Sequence, residues 1–245
     1  MRIVAVIPSR YGSTRFEGKP LEPIAGKPMI RHVYECAARS DIIGQVVVAT
    51  DDQRIYAAVE HFGGEALMTS PGLRSGTDRV AAAAVELHLA AEDIVINVQG
   101  DQPLIDPRCF EQVLAPLLAA PDLGMSTLAI KIIDQREYRN PKDCKVVLDA
   151  RGFALYFSRA PIPFRRDAGQ FFDCYKHLGI YGYRKHFLDI FSSLPTGRLE
   201  EVEKLEQLRA LEHGHPIRVE ITSYDSPEVD VPEDIARIEK MISTE

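Results

Sequence analysis

This sequence of 245 residues is poor in three features that define whole classes of protein: cysteine, surplus positive charge and long apolar runs. Its four cysteines form no Cys-x-x-Cys or Cys/His spacing, so we expect neither a zinc site nor a disulfide framework; they are Cys36, Cys109, Cys144 and Cys174. The net charge of -7 argues against nucleic acid as the main partner, because a surface that binds a phosphate backbone needs clustered, surplus cations.

No apolar stretch approaches the roughly 20 residues that a membrane-spanning helix needs. Met1 and Arg2 lead directly into an apolar run and not into a signal peptide. We therefore expect a cytoplasmic protein that does not insert into membranes. With 45% hydrophobic and 27% charged residues, the chain can bury a large core, and we expect a single domain over residues 1–245.

Apolar, strand-like runs alternate with helical patterns through the first half of the chain. Strands are predicted at residues 3–7, 46–50, 94–98 and 125–132, and helices at residues 28–39, 52–62, 76–89 and 107–119. The continuous Val/Ile runs indicate strands that are covered on both faces. The sequence therefore predicts an α/β fold with a mainly parallel sheet flanked by helices, in which ligands bind at the carboxyl ends of the strands.

The second half has a different pattern. Strands predicted at residues 145–148, 154–158 and 175–183 have few helices between them, which indicates a smaller antiparallel insertion or arm. A helix at residues 199–212, a strand at residues 217–221 and a last helix opening at Pro232, with Glu233 and Asp234 in its first turn, complete the chain. We divide the domain into residues 1–135, 136–225 and 226–245.

The loop after the first strand is the most informative segment of the sequence. It places Arg10, Arg15 and Lys19 within ten positions, among small residues that let backbone N–H groups approach a ligand. Fixed positive charge and convergent donors are what a polyphosphate requires, so we interpret this loop as a triphosphate site. It is not a P-loop, because five residues instead of four separate its two glycines and a proline follows the lysine. The G-x-G-x-x-G dinucleotide fingerprint is absent from this turn as well.

The loop motif S-R-Y-x-S-T-R-x-x-G-K-P resembles the nucleotide loop of the sugar nucleotidyltransferases, and most closely that of the 3-deoxy-manno-octulosonate cytidylyltransferases, the CMP-Kdo synthetases. Further segments resemble this family in the same order over nearly the whole chain. They are S-G-T-D-R (75–79), V-Q-G-D-Q-P (98–103), S-R-A-P-I-P (158–163), H-L-G-I-Y-G-Y-R (177–184), L-E-Q-L-R (205–209) and V-D-V-P-E-D (229–234).

The resemblance implies a Rossmann-like nucleotidyltransferase fold and a reaction. That reaction is cytidylyl transfer from CTP to the anomeric hydroxyl of 3-deoxy-D-manno-octulosonate (Kdo), which yields CMP-Kdo and pyrophosphate and activates the sugar for lipopolysaccharide biosynthesis. By this resemblance, residues 1–135 bind the nucleotide, and residues 136–225 bind the sugar and form the dimer contact. Residues 226–245 form a return segment and the C-terminal helix. A homodimer and Mg²⁺ as cofactor are also implied.

Nucleotide binding is implied for the first loop, the turn at residues 74–79 and the acidic turn at residues 99–101. Read without the resemblance, Ser75 or Thr77 caps a helix, with Asp78 favourably placed near its positive end. The nucleotide-binding residues that the resemblance implies are Ser9, Arg10, Gly12, Ser13, Thr14, Arg15, Lys19, Arg74, Ser75, Gly76, Thr77, Arg79, Gln99, Gly100 and Asp101.

Two aspartates are implied to bind the metal. A carboxylate that faces a triphosphate is repelled unless a divalent cation lies between them, so we interpret Asp101 as a magnesium ligand. The resemblance supplies Asp230 as the second ligand. Taken alone, Asp101 would be an Asx-turn residue and Asp230 a helix-entry residue.

Sugar binding is implied mostly for the second half. Arg159 could pair with the carboxylate of the sugar acid, although a surface salt bridge is its plainer reading. His177 and Tyr181 stand at even spacing and so on one face of a strand, where a histidine is more often simply packed. The implied sugar-binding residues are Gln99, Arg159, His177, Tyr181, Glu206 and Gln207, of which Glu206 and Gln207 would otherwise be solvent-facing residues of a helix.

The catalytic residues that follow from this interpretation are Lys19, Asp101, Asp230 and Arg10, with Lys19 nearest the reacting phosphorus. The general base is open between a metal-bound hydroxide, Asp101 and none. Glu17 departs from the family pattern, which usually has proline there, and must point away from the phosphates. The alternatives are a cytidylyltransferase for the 8-amino analogue of Kdo or for another acid sugar such as sialic acid, and a non-catalytic sensor that binds CTP.

Overall fold

The computed structural model describes residues 1–12, 16–167 and 172–243. Three residues of the predicted triphosphate loop, Ser13, Thr14 and Arg15, lie outside these ranges. In the described ranges of the chain, no helix is both long and apolar enough to cross a membrane.

Strands and helices alternate along most of the described chain. The strands are β1 (Ile3–Ser9), β2 (Pro23–Ile24), β3 (Lys27–Pro28), β4 (Gln45–Thr50), β5 (Glu65–Met68), β6 (Ile94–Asn97), β7 (Met125–Lys131), β8 (Lys145–Leu148), β9 (Ala154–Ser158), β10 (Tyr175–Arg184) and β11 (Arg218–Thr222). The helices are α1 (Met29–Ala38), α2 (Gln53–His61), α3 (Gly76–Glu86), α4 (Arg108–Ala119), α5 (Gln135–Arg139), α6 (Lys185–Ser193), α7 (Arg198–Glu203), α8 (Leu208–Glu212) and α9 (Asp234–Ile242).

The chain forms two compact units, and the first consists of Met1–Glu111 and Ser226–Glu245. Its strands are parallel and lie in the order β6-β1-β4-β5, with Val6 of β1 opposite Asn97 of β6 and Val47 of β4. The middle strands are almost wholly buried, as their continuous apolar runs predict. Because the strands are parallel, the residues that follow β1, β4 and β6 leave the sheet at the same edge.

A small apolar cluster joins the two ends of the chain within this unit. Phe16, Ile24 and Met29 pack against Val229 and Ile238. Phe16 precedes the Gly18–Lys19 turn, and Val229 directly precedes Asp230. Burial of these side chains therefore brings the first loop and the C-terminal segment together.

The second unit is Gln112–Asp225. In it β10 pairs antiparallel with β7 and with β8, β8 pairs antiparallel with β9, and β11 runs parallel to β7. The register of β10 shifts between Leu178 and Tyr181. The fold-class prediction is confirmed: a mainly parallel sheet flanked by helices, with a smaller antiparallel region. The division at residues 135 and 225 stays a prediction.

The helix predicted over residues 199–212 is wrong. It is broken into α7 and α8, and Lys204 between them adopts a left-handed conformation with φ of 55°. No glycine or proline marks the break in the sequence, and burial explains it: Leu205, Gln207 and Leu208 all turn inward. The last helix begins at Asp234 and not at Pro232. The elements β2, β3, β5, α5 and α6 were not predicted.

Candidate functional site

The acidic turn after β6 packs directly against the end of β1. A Cβ atom on Gly100 would lie 3.0 Å from Oγ of Ser9 and 3.3 Å from the carbonyl oxygen of Pro8, so any larger residue would be tightly packed here unless Ser9 moved. The hydroxyl of Ser9 is buried and has no hydrogen-bond partner among the described residues. It therefore lies beside the acidic turn with unused hydrogen-bonding capacity.

Lys19 reaches the same acidic turn from the first loop. Gly18, with a φ of +72°, starts a short 3-10 turn at Lys19–Leu21 that aims the lysine side chain inward. Its Nζ donates to Oδ2 of Asp101 at 2.7 Å and to the carbonyl oxygen of Val229 at 3.0 Å. One ammonium group thus connects the N-terminal loop, the acidic turn and the C-terminal segment.

The main chain holds the segment of Asp230 against the turn of Asp101. The N–H of Val229 donates to the carbonyl oxygen of Asp101 at 2.9 Å. Oδ2 of Asp234 accepts from the N–H groups of Asp230, at 2.9 Å, and of Val231, at 3.2 Å. Burial alone would raise the pKa of Asp234, but these hydrogen bonds and the nearby Arg237 lower it. The segment is therefore fixed by its own helix start as well as by Asp101.

A third carboxyl group lies next to these two aspartates. Nε2 of Gln102, which is 0% exposed, donates to Oε1 of Glu228 at 3.1 Å. Glu228 as a residue is exposed, and its carboxyl group is partly desolvated where it accepts this bond from Gln102. That desolvation, followed by repulsion from Asp101 and Asp230, raises the pKa of Glu228 to about 7. The site therefore has an excess of negative charge that Lys19 only partly offsets.

The donor set can be compared with what a divalent cation requires. Within residues 1–12, 16–167 and 172–243, no group of three or more His, Cys, Asp or Glu side chains could hold a metal ion on its own. Mg²⁺ commonly takes only one or two protein carboxylates and completes its octahedron with water and substrate phosphates. Asp101 and Asp230, on segments joined by a main-chain hydrogen bond, fit that use and not an all-protein cage.

The helix cap predicted at residues 75–78 is confirmed. Ser75 precedes α3, and its Oγ accepts from the N–H of Asp78 at 3.1 Å. Nε of Arg74 donates to Oδ2 of Asp78 at 3.1 Å, and Nη2 of Arg10 donates to the carbonyl oxygen of Leu73 at 2.7 Å. The turn before α3 and the first loop are thus joined through Arg10.

Arg79 is fully buried, unlike an arginine that binds a ligand at the protein surface. It is 0% exposed, and its guanidinium donates to Oδ2 of Asp51 at 2.7 Å and to the hydroxyl of Thr69. Burial lowers the pKa of Arg79, and the charge of Asp51 opposes that effect. Its predicted role toward the nucleotide stays a prediction, as do those of Gly76, Thr77 and Gln99.

Tyr11, in the first loop, contacts Arg54 of α2 and Gly18. The guanidinium carbon of Arg54 lies 3.2 Å from the centre of the Tyr11 ring. The N–H of Gly18 donates to the carbonyl oxygen of Tyr11 at 2.9 Å. Asp52 and, more weakly, Tyr11 and Glu17 raise the pKa of Arg54. Glu17 is exposed, and its negative charge acts on this guanidinium.

Three of the predicted sugar-binding residues meet in the second unit. The rings of His177 and Tyr181 lie 5.3 Å apart. The N–H of His177 donates to the carbonyl of Cys144 at 2.8 Å, and Nε2 of Gln207 contacts Sγ of the same cysteine at 3.8 Å. Glu206 lies in the turn before α8 and not on a helix, and Gln207 is 3% exposed, so the solvent-facing helical alternative is wrong for Gln207.

Burial determines the protonation state of His177. It lowers the pKa of this imidazole to about 3, so the ring is neutral at neutral pH. Nε2 lies 2.9 Å from Oγ1 of Thr127, which also lies 2.7 Å from the carbonyl of Ile180. Because the single hydroxyl proton is donated to that carbonyl, Nε2 carries the imidazole proton and donates to Thr127.

Arg159 does not join this group through its guanidinium. Nε donates to the carbonyl of Glu203 at 2.8 Å, and Nη1 donates to the carbonyl of Pro141 at 3.0 Å. The carboxylate of Glu203 accepts from Oγ of Ser158 at 2.5 Å and from the N–H of Arg159 at 2.9 Å. Arg159 therefore links its own segment to those of Glu203 and Pro141 through main-chain carbonyls. This differs from the surface salt bridge that was the alternative expectation for Arg159.

Sequence patterns missed several residues of the site. Glu228 and Gln102 stand beside the predicted Asp230 and Asp101, but nothing in the spacing indicates that they bond to each other. Arg54 lies in the helix predicted over residues 52–62, and its contact with Tyr11 has no sequence signal. Glu203 is one of several glutamates in an acidic stretch. All four become visible only as contacts between segments that are distant in the chain.

Comparison with known proteins identifies the family. A family model described as cytidylyltransferase matches residues 4–221. A 3-deoxy-manno-octulosonate cytidylyltransferase of Desulfosudis oleivorans is 63% identical over 100% of this chain and 98% of its own. An 8-amino-3,8-dideoxy-manno-octulosonate cytidylyltransferase of Shewanella amazonensis is 54% identical over the full length of both.

A solved structure agrees with these relatives. It is of a CMP:2-keto-3-deoxy-manno-octonic acid synthetase complexed with CTP, which is 43% identical to this chain. It matches with a TM-score of 0.93 over 100% of this chain and 99% of its own. The resemblance carried by the sequence motifs is thereby confirmed, and the chain belongs to the cytidylyltransferase family that includes the 3-deoxy-manno-octulosonate enzymes.

Proposed function

We propose that this protein transfers the cytidylyl group of CTP to the anomeric hydroxyl of Kdo and releases pyrophosphate. The observation that carries the proposal is the convergence of Lys19, Asp101 and the Asp230 segment at the carboxyl edge of a parallel sheet. The 63% identity to a protein named for this reaction supports the same conclusion. The product would serve lipopolysaccharide biosynthesis.

The reaction is a displacement at phosphorus. The C2 hydroxyl oxygen of the sugar bonds to the α-phosphorus of CTP, and the bond from that phosphorus to the bridging oxygen of the β-phosphate breaks. The hydroxyl proton passes to water or to Asp101, and pyrophosphate leaves with the bond's electron pair. Such transfers need little covalent chemistry from the protein, so positioning and neutralisation of charge provide most of the catalysis.

Each residue at the edge of the sheet has a role in this proposal. Lys19 pairs with the triphosphate near the reacting phosphorus, and Arg10 adds a second cation. Asp101 and Asp230 hold Mg²⁺, which, when bound, supplies charge neutralisation at the phosphates and a lower pKa for the attacking hydroxyl. The buried hydroxyl of Ser9, beside Gly100, is a further donor to the nucleotide.

The acceptor is proposed to bind through the second unit. His177, as a neutral imidazole, would hydrogen-bond a sugar hydroxyl through its unprotonated Nδ1. Tyr181, Gln207 and Glu206 would contact further hydroxyls, and Gln99 and Arg159 complete the proposed set. Arg159 would have to release the carbonyls of Glu203 and Pro141 to pair with the sugar carboxylate.

The 8-amino analogue is the second candidate acceptor. Relatives named for that substrate are 52–54% identical to this chain over its full length. The two acceptors differ at a single position, where one has a hydroxyl and the other an ammonium group. A direct comparison of the two therefore tests the assignment.

The test is pyrophosphate release by the purified protein with CTP, Mg²⁺ and each acceptor in turn: Kdo, its 8-amino analogue and sialic acid. ATP, GTP and UTP replace CTP as controls. We expect the highest kcat/KM with CTP and Kdo. A higher kcat/KM with the 8-amino sugar would make that sugar the acceptor instead of Kdo. Tight CTP binding by calorimetry without turnover would support the alternative of a non-catalytic CTP-binding sensor. The homodimer, implied by the resemblance, and the cytoplasmic location, expected from the absence of a signal-peptide pattern and of a long apolar stretch, stay predictions.

A further inference from the structure

The hydrogen bond between Gln102 and Glu228 links the two segments that carry the proposed metal ligands. Gln102 directly follows Asp101, and Glu228 stands two residues before Asp230. Nε2 of Gln102 donates to Oε1 of Glu228 at 3.1 Å. These two residues are 126 positions apart in the sequence, so the bond exists only because the chain ends fold together.

Gln102 is well placed to act as a fixed support. Its side chain is 0% exposed, and its Oε1 is buried without a hydrogen-bond partner among the described residues. Within the described part of the chain, the side-chain amide nitrogen of Gln102 donates to Glu228 and to no other group, so losing this bond would leave a second buried polar atom unsatisfied. Moving Glu228 away from Gln102 is therefore energetically unfavourable.

Among the residues that the structure describes, three hydrogen-bonded connections join the Asp101 turn to the Asp230 segment. They are the main-chain bond from Val229 to Asp101, the bridge made by Lys19, and the bond from Gln102 to Glu228. In the proposed reaction, Lys19 turns to the phosphates, so its bridge weakens when CTP binds. The Gln102–Glu228 bond then has to preserve the spacing of the two aspartates together with the single main-chain bond.

Electrostatics makes this support necessary. The carboxyl groups of Asp101, Asp230 and Glu228 belong to two segments that these hydrogen bonds hold against each other. Like charges at close range repel, so carboxylates gathered without a cation tend to move apart. A neutral amide that holds one of them by a hydrogen bond keeps the group assembled for a divalent cation.

We propose that Gln102 and Glu228 form a clamp that positions Asp101 and Asp230 for a divalent cation bound together with CTP. Glu228 acts in this clamp as a positioning residue and not as a metal ligand. The inference rests on the proposed function only in its use of CTP and the cation. Neighbours that fix a metal ligand without touching the metal commonly affect metal affinity by about 10- to 100-fold.

Three single variants separate the hydrogen bond from the charge. Glu228→Gln removes the charge but keeps a carbonyl that accepts from Gln102. Glu228→Ala removes both, and Gln102→Met removes the donor while retaining an unbranched side chain. Glu233→Ala is the matched control, because it removes an exposed glutamate of the same segment whose side chain makes no cap bond with α9.

The readouts are the Mg²⁺ concentration for half-maximal rate, kcat and KM for CTP, and calorimetric binding of CTP with and without Mg²⁺. We expect Glu228→Ala and Gln102→Met each to raise the Mg²⁺ requirement at least about 10-fold. Their Mg²⁺-free CTP affinity should be unchanged. Glu228→Gln should stay within about threefold of the wild type, and the double variant should be no worse than either single variant, because one bond is lost in each.

Several outcomes would overturn the clamp. An unchanged Mg²⁺ requirement in Glu228→Ala and Gln102→Met would do so, even if thermal stability fell, because the bond would then be merely structural. Equal losses in Glu228→Gln and Glu228→Ala would show that charge acts and not the hydrogen bond. Effects that multiply in the double variant would show two independent roles. A loss in Glu233→Ala as large as that in Glu228→Ala would show a general charge effect.

The failure of the clamp and the failure of the proposed function can be told apart. If the wild type releases no pyrophosphate with any acceptor, the proposed function fails. The calorimetric comparison of CTP binding with and without Mg²⁺ still tests the clamp in that case, since it needs no turnover. If the wild type turns over normally and the variants bind Mg²⁺ and CTP as it does, the clamp alone fails.

Discussion

Lys19 and Asp101 form an ion pair with 2.7 Å between Nζ and Oδ2, across 82 positions of sequence. The Lys19 side chain is 16% exposed and the Asp101 side chain 26% exposed, so both remain accessible to a ligand. In the proposed reaction, Asp101 would hold a divalent cation in place of the ammonium, and Lys19 would pair with the phosphates. The ion pair therefore keeps the Lys19 ammonium at the place where the triphosphate is expected.

Replacing either partner of this pair should remove activity without unfolding the protein. Lys19→Ala and Asp101→Ala should each lower kcat by about 10²- to 10³-fold, since each removes an electrostatic contact to the transition state. Steady-state kinetics with CTP and Kdo measures the loss, and circular dichroism checks the fold. Lys27→Ala is the control, because it removes a lysine from another ion pair, with Glu35 at 2.8 Å. Near-normal turnover of Lys19→Ala would contradict the assignment.

Arg54 should support CTP binding through Tyr11. Loss of an exposed cation–π contact weakens the loop, so Arg54→Ala should raise KM for CTP about two- to fivefold and leave kcat nearly unchanged. Tyr11→Phe keeps the ring and should behave like the wild type, whereas Tyr11→Leu should resemble Arg54→Ala. Arg31→Ala, which removes the guanidinium over Phe62, is the control. An unchanged KM in both Arg54→Ala and Tyr11→Leu would exclude this role.

His177 should make the protein less stable in acid. Its pKa is lowered by burial from 6.5 to about 3, so between these values the unfolded chain binds a proton that the folded protein does not. Its contribution is therefore complete above pH 6.5 and decreases with falling pH, by up to about 1.4 kcal/mol per pH unit, until about pH 3.

Urea unfolding at a series of pH values measures this dependence. His177→Gln keeps a donor for Thr127 but does not titrate, so its stability should fall less steeply with acid than that of the wild type over the same range. His61→Gln, at the exposed end of α2, should retain the wild-type slope. Parallel curves for the wild type and His177→Gln would show that this histidine does not titrate as expected.

Breaking the buried pair of Arg209 and Glu200 should reduce stability and leave the chemistry unaffected. Nε and Nη2 of Arg209 donate to the two carboxylate oxygens at 2.8 and 2.6 Å, and Arg209 is 1% exposed. Arg209→Met leaves a buried carboxylate without its main partner and should lower the free energy of unfolding by about 3–5 kcal/mol. Urea unfolding provides the measurement.

The double variant Glu200→Met/Arg209→Met should recover most of that loss, because no buried charge is left without a partner. Asp189→Ala breaks the exposed Lys185–Asp189 pair of α6 and should change stability by no more than about 1 kcal/mol. A similar cost for the exposed and the buried pair would contradict the argument from burial.

Local sequence patterns were sufficient for most elements of the first half. The apolar runs predicted β1, β4 and β6 to within about two residues at each end, because a strand covered on both faces needs continuous apolar side chains. A helix cap at Ser75 or Thr77 was predicted as well, and the structure has it at Ser75; such a cap depends on residues three positions apart. Where a structural feature depends on neighbours in the chain, the sequence shows it.

The break at Lys204 shows the opposite case. A helical pattern runs through residues 199–212, yet the chain adopts a left-handed conformation at this lysine. The break allows Gln207 to be buried and Arg209 to reach Glu200. Burial of distant side chains outweighed a local helical preference, which no spacing rule could indicate.

By itself, the sequence determined the α/β alternation, the cationic loop after β1 and the two acidic segments, because each of these is a property of adjacent residues. Only the tertiary structure decided that Lys19 contacts Asp101 and, 210 positions away, Val229, and that Gln102 bonds to Glu228. These contacts arise when the apolar cluster of Phe16 and Val229 buries its surface. The hydrophobic effect sets which segments meet, and it leaves no spacing pattern in the sequence from which those partners could be predicted.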